Sequence, residues 1–186
     1  MNDIVLPSPS KKEIDYYLQL WDSLDNYYLQ ESALDKLFFE TYPKNTDIDD
    51  ILIKVSALND FYSTNIFNVF AVATHIKELN IDNRLKIGDT TLVDDIAYVE
   101  MADKNGKKVI KHFYSFATKY CSHHFPDVYP IYDSYVDRCL LYFKNQDNFF
   151  DFNRSDLKHY DTFKTVLLNF KKYALFNLIT DLSLIS

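Results

Sequence analysis

The sequence predicts an all-α fold, and three observations carry that prediction. Apolar residues recur at three- and four-residue spacing along most of the chain, the period of a helix with one buried face. Glycine occurs only at Gly88 and Gly106 in 186 residues, too few for the tight hairpins of a β-rich domain. Several apolar stripes are preceded by Ser, Thr or Asp, whose side-chain oxygens accept from the free N–H groups of a helix start. The length fits one helical domain over 1–186, with two lobes as the expected elaboration.

In chain order, residues 1–10 hold Pro7 and Pro9 and read as a loose arm. Ser10 and Glu13 form a capping box for a first helix, with Ile14, Tyr17, Leu18, Trp21, Leu24 and Tyr28 as its inward stripe. A second helix is expected over about 31–41, ending before Pro43. Thr46-Asp47 caps a third, with Ile48, Ile51, Leu52, Val55 and Leu58 inward. Thr64 opens a fourth whose apolar run, Ile66 to Ile76, reads as almost wholly buried. Asp89 starts a short fifth with Leu92, Val93 and Ile96. Asp103-Lys104-Asn105-Gly106 is a turn, since Asn-Gly accepts positive φ. From it the main reading is a helix over about 107–123, and the lesser is a small β-hairpin near 98–110. Further helices are expected from Ser134 to about Lys144 and over about 155–174.

The composition excludes several function classes. With no glycine-rich phosphate loop there is no Walker or Rossmann site, so kinases, GTPases and dehydrogenases drop out and no cofactor is expected. Cys121 and Cys139 are too few for a disulfide framework or a zinc site, and Cys121 reads as a small hydrophobe. His123 and His124 adjoin on one helix, point apart, and lack a second ligand cluster, so no metal is expected. His124 is expected to pack inward and His123 to be solvated. No apolar run is long enough for a bilayer, and Met1–Pro7 has no secretory pattern, so a cytoplasmic location away from membranes is expected. The net charge is −7, but it is uneven: residues 1–100 carry 8 Lys/Arg against 18 Asp/Glu, and residues 101–186 carry 12 against 9. Basic character in one half can mark a binding face for a polyanion.

The stretch from His112 to Val136 is the most informative. On the helical reading, Val109, Phe113, Phe116, Ala117 and Tyr120 face inward, while Lys108, Lys111, His112, Ser115, Lys119 and His123 fall on the other side. A basic stripe of this kind suits a phosphate backbone, but it also suits water, and a solvated face is the commoner meaning of such a run. Asp133 then follows Pro130 and precedes Ser134, at a helix mouth where a carboxylate meets free N–H groups and the positive end of the dipole. Such an aspartate is more often a plain N-cap than a catalyst.

The block Tyr129-Pro-Ile-Tyr-Asp133-Ser-Tyr-Val136, after Ser115-Phe-Ala-Thr-Lys119, resembles the helix-hairpin-helix DNA glycosylase superfamily, in its divergent oxoguanine-glycosylase-like branch. Val55 to Ile66 resembles that branch's early helices, and the similarity runs over roughly 47–173. The resemblance implies a two-lobed helical protein that binds DNA, flips a damaged or modified base and cuts its glycosidic bond. Asp133 would stabilise the oxocarbenium-like charge and help activate the nucleophile. The superfamily's Gly-x-Gly phosphate turn is absent between Lys107 and Asp133, and its lysine would fall near Tyr114 or Ser115. Lys111 comes earlier and Lys119 about one helical turn later, so a monofunctional mechanism with attacking water is the expectation, with Lys119 as the reserve nucleophile. Lys108, Lys111, His112, Ser115 and Arg138 are the DNA-contact candidates. Tyr62, Tyr129 and Tyr132 are the base-stacking candidates, and Tyr135 is a further aromatic beside them. The alternative is an inactive helical module of the same fold that binds nucleic acid or a protein. The residues leave the oligomeric state open.

Overall fold

A computed structural model of the protein describes residues 5–102 and 105–183, with side chains to Asn177. Residues 1–4 of the expected arm, Asp103 and Lys104 of the expected turn, and residues 184–186 lie outside the described residues. Among the described residues the fold is helical apart from one two-stranded antiparallel sheet. The chain divides into two compact units, one of residues 30–132 and one of residues 1–29 with 133–186.

In the unit of residues 30–132, α2 (Asp25–Asp35) runs into a π-helical turn (Lys36–Thr41) that buries Phe38. Asp47 caps α3 (Ile48–Phe61), its carboxylate accepting from Asp49 N at 2.9 Å. Ile51, Val55 and Leu58 are buried on that helix, as their spacing requires, and so is Lys54. Asn68 caps α4 (Val69–Leu79), so the cap lies four residues after Thr64. Thr64 instead donates its hydroxyl to Asn59. Only one face of α4 is buried, through Val72, Ala73 and Ile76. Phe67 and Phe70 are 98 % and 61 % exposed, which corrects the expectation of a wholly buried helix.

The short α5 (Asp82–Ile87) has no counterpart in the sequence reading. It ends at Gly88, where φ is +74° and a Cβ would sit 3.1 Å from Val128 Cγ1. Glycine therefore serves both the left-handed cap and the close approach. In α6 (Thr91–Ala97), Leu92, Val93 and Ile96 are buried as expected. β1 (Tyr98–Ala102) and β2 (Lys108–His112) then pair in the register Tyr98↔His112 through Ala102↔Lys108.

The hairpin overturns the expected helix over 107–123. A cross-strand ladder replaces its first turns, and α7 (Tyr114–His124) starts only after Phe113 N donates to Ala97 O at 2.8 Å. Lys108, Lys111 and His112 therefore lie on a strand, and no basic helical stripe exists. Every residue of α7 except Ser115 is buried. A helix enclosed on all sides has no solvated face, so Lys119 and His123 are 5 % and 6 % exposed. The expected solvation of His123 is corrected by the same fact, whereas His124 and Cys121 pack inward as expected.

In the other unit, Ser10 Oγ accepts from Glu13 N at 3.2 Å and opens α1 (Lys11–Asp22). The apolar stripe is present, but no residue of α1 is buried. Its expected inward face is therefore an exposed one. Asp133 caps α8 (Ser134–Asp147), and a 3₁₀ turn (Arg154–Lys158) leads into α9 (Tyr160–Ser183). Leu140, Phe143, Phe152, Leu157, Tyr160 and Phe163 form this unit's core.

Candidate functional site

Unit 30–132 holds a cleft of about 260 Å³ at the start of α7, lined by Tyr62, Ser63, Thr64, His112, Tyr114 and Ser115 among others. The residue before the helix, Phe113, supplies no side-chain cap. The first N–H groups of α7 and the positive end of its dipole therefore lie at the cleft. Tyr114, only 5 % exposed, has a hydroxyl without a hydrogen-bond partner among the described residues.

Lys119 is the chemically distinctive residue. Helical side chains lean toward the N-terminus, and that lean carries its amine back one turn to donate to Ser115 Oγ at 2.7 Å. The same amine lies 5.1 Å from the Tyr62 ring centroid, a cation–π distance. Ser115 passes the contact on, donating to Tyr132 O at 3.2 Å. Lys119 follows Ser115 by about one helical turn, and its amine reaches back to that residue.

Behind this group, Tyr62 donates to Glu31 Oε1 at 2.5 Å and lies 3.1 Å from His123 Nε2. The phenolic proton is committed to Glu31, so His123 supplies the N–H on that side. Its Nδ1 is 3.9 Å from Asp35. Burial raises the Tyr62 pKa well above the ordinary value, with Glu31 adding to the effect. Burial also lowers that of His123, against the pull of Glu31 and Asp35.

Asp133 has half-buried surroundings at the mouth of α8. Its Oδ1 accepts from Tyr135 N and Val136 N, both at 2.8 Å, and Oδ2 takes no hydrogen bond among the described residues. Arg138 stacks its guanidinium 4.7 Å from the exposed Tyr135 ring. Lys111 and His112 are exposed on β2, while Lys108 pairs with Glu100 at 2.5 Å. Two stacking candidates lie in the core. Tyr129 is fully buried and its hydroxyl donates to Arg84 O and Asp89 O, and Tyr132 is 5 % exposed against Tyr114. Neither presents a ring face to a base, so of the three only Tyr62 reaches the cleft.

Sequence reasoning missed a second polar cluster. Lys54, with no exposed surface, donates to Tyr42 O, Lys44 O and Asn45 Oδ1 at 3.0, 2.9 and 2.7 Å. Asn45 also accepts from the Tyr120 hydroxyl at 2.6 Å and donates to Asp82 and to His124 Nε2. His124 is thereby held neutral, its pKa lowered by burial and by the Lys54 charge. Both side-chain polar atoms of Asn45 are used, so this cluster reads as structural.

These features define a mostly helical protein with a buried lysine hydrogen-bonded to Ser115, one of the residues that line a small cleft. The chain belongs to the family described as HI_0787_N, N-terminal domain, whose model matches residues 13–128. It is 48 % identical over 132 residues to an uncharacterized protein of Haemophilus influenzae, a match that covers 70 % of this chain and 63 % of that relative. The chain thus spans less than two thirds of the relative's length. No solved structure matches. Among the described residues no helix is long and apolar enough to cross a membrane.

Proposed function

We propose that this protein is a DNA-glycosylase-like, cytoplasmic protein that binds DNA, takes a damaged or modified base out of the duplex and releases it. The observation that carries the reading is Lys119. Lys119 follows the position where the glycosylase resemblance expects a lysine by about one helical turn, and what supports a role for it is that its buried amine donates to Ser115, a residue lining the cleft. Desolvated amines held in fixed geometry are suited to attack on an electrophilic carbon. Asp133 takes the electrostatic role: one carboxylate oxygen is anchored by two backbone N–H groups, and the other is left to stabilise positive charge developing on a sugar.

Two routes follow from these residues. With water attacking C1′, the glycosidic C–N bond breaks, the base departs with the electron pair and picks up a proton, and Asp133 assists. With the Lys119 amine attacking C1′, the base departs with the electron pair of the same bond and a C1′–Nζ bond forms. Nζ then loses a proton, its lone pair expels O4′ as the C1′–O4′ bond breaks and O4′ is protonated, and the resulting C1′=Nζ imine leads to strand cleavage. The Lys119 geometry supports adding the second route to the first.

The test is base release from duplexes carrying a panel of damaged and modified bases, comparing wild type with Asp133→Asn and Lys119→Gln. Release by wild type that falls at least a hundredfold in Asp133→Asn is the expected outcome, given typical losses when one charge-stabilising group is removed. Borohydride trapping of a covalent DNA adduct that disappears in Lys119→Gln establishes the lysine route. Absence of release on every substrate overturns the enzymatic reading. The exposed apolar face of α1 favours a second reading in that event: an inactive helical module that binds nucleic acid or a protein.

A further inference from the structure

A second cleft in unit 30–132, of about 550 Å³, lies between α4 and the hairpin and takes in Phe70, Thr74, His75, Glu78, Tyr98 and Glu100. Nothing in the glycosylase reading uses it. One wall is the Tyr98 ring, 53 % exposed. Its cross-strand partner His112 stacks on it with centroids 4.2 Å apart and planes within 16°. His112 in turn stacks on Tyr114 at 5.7 Å and 26°, and Tyr114 leans on Tyr132 at 4.9 Å. Tyr98 is therefore the outer end of a row of rings rooted in the core, and its orientation is set before any ligand arrives. Stacking on a ring already fixed in place costs little ordering.

Two further features point to a planar ligand with polar edges. Phe70, on α4, is 61 % exposed and supplies apolar surface in the same cleft. The Thr74 hydroxyl is buried there with no hydrogen-bond partner among the described residues. A buried, unpartnered hydroxyl is costly unless a ligand completes it. His75 commits Nε2–H to Asp95 O at 2.8 Å, which fixes its ring at the cleft. Lys108, on the Tyr98 face of the hairpin, is ion-paired with Glu100 at 2.5 Å, whereas Lys111 opposes Val99 on the other face.

We propose that this cleft holds an unpaired nucleobase of a single-stranded stretch of nucleic acid, stacked on Tyr98 and hydrogen-bonded to Thr74. Only an unpaired base offers its full face for stacking, and such stacking tolerates any base. The inference rests on the nucleic-acid reading of the preceding section and adds the strand state that is recognised. It does not depend on Asp133 or Lys119.

The experiment titrates full-length protein into short oligonucleotides containing 2-aminopurine, as single-stranded DNA, single-stranded RNA and duplex DNA, with an abasic strand as control. The expected result is tighter binding of a single strand than of duplex, with quenched 2-aminopurine emission. Tyr98→Leu and Phe70→Ala then abolish the quench, and Tyr98→Leu weakens binding roughly tenfold or more. Tyr98→Phe keeps both, and Thr74→Val weakens binding of the base-bearing strand but not of the abasic one. A Tyr98→Leu protein that melts like wild type, yet binds and quenches like it, overturns the proposal. So does a wild-type protein that prefers duplex without quenching. Base release by the wild-type protein separates the two readings: Tyr98-dependent quenching without base release removes only the glycosylase, and base release without a Tyr98 effect removes only this cleft.

Discussion

Lys54 shows how one side chain can be misjudged and yet be readable. It lies three residues after Ile51 and four before Leu58, on the buried stripe of α3, so its register alone placed it inside. The partners that make burial tolerable are Tyr42 O, Lys44 O and Asn45, on a segment between helices whose conformation no local pattern encodes. Burial lowers its pKa from 10.5 to about 8, against the opposing pull of Asp82 and Asp50. Below about pH 8 both folded and unfolded chains hold the proton, and the buried charge costs stability in full. Between about 8 and 10.5 the unfolded chain binds more protons, so the Lys54 contribution becomes more favourable as pH rises. The difference in unfolding free energy between wild type and Lys54→Met should therefore grow in favour of wild type across that window, by up to ~3 kcal/mol. Denaturant titrations at pH 7, 8, 9 and 10 measure it, and a pH-independent difference contradicts the assignment. At pH 7 the variant should already be less stable, because three buried acceptors lose their donor.

At the scale of elements, helix starts were the most legible feature. Ser10, Asp47 and Asp133 cap as their residue types dictate, since a cap depends on atoms within three residues of itself. The segment 107–112 was legible as a strand only in the lesser reading, a hairpin near 98–110, which the structure bears out. Its alternation is short, and what makes it one is pairing with residues 98–102, a nonlocal ladder. That single change removed the basic helical stripe and left Lys119 enclosed. In the other unit, α8 is tied to the following 3₁₀ turn by an ion pair: Arg154 donates twice to Asp137 Oδ2, at 3.0 and 2.7 Å, and Asp137 is 1 % exposed. Removing the arginine takes two charge-assisted hydrogen bonds from a buried carboxylate, so Arg154→Ala should cost ~2 kcal/mol. The double variant Arg154→Leu with Asp137→Leu should recover part of that loss, since the buried carboxylate is removed together with its donor. Urea unfolding of the three proteins checks both statements, and equal losses in the single and double variants refute the second.

For the whole molecule, the uneven charge and the apolar surface are separate facts. The acidic excess lies in residues 1–100 and the basic excess in the rest, whereas α1 displays Ile14, Tyr17, Leu18 and Trp21 at 45, 55, 59 and 40 % exposure. Trp21 is the chain's only tryptophan, so its fluorescence reports this surface directly. Its emission should be red-shifted and readily quenched by acrylamide, and Leu18→Ser should change stability by no more than ~0.5 kcal/mol. A blue-shifted emission insensitive to acrylamide would contradict the exposed placement of α1.

The sequence by itself determined the helical class, most helix starts, the inward faces of α3 and α6, and Asp133 as a helix-mouth carboxylate. These depend on periodicity and on contacts a few residues apart, which composition and spacing record. Only the tertiary structure decided that 108–112 is a strand, that α7 is enclosed, that Tyr129 and Tyr132 belong to the core, and that the Lys119 amine reaches Ser115. It alone lined up Tyr98, His112 and Tyr114 as a stack. The periodicity of one segment states that it has an inner face, while the partner that covers that face lies elsewhere in the chain. Which polar side chains end in a cleft and which in a closed network is settled only by that partner.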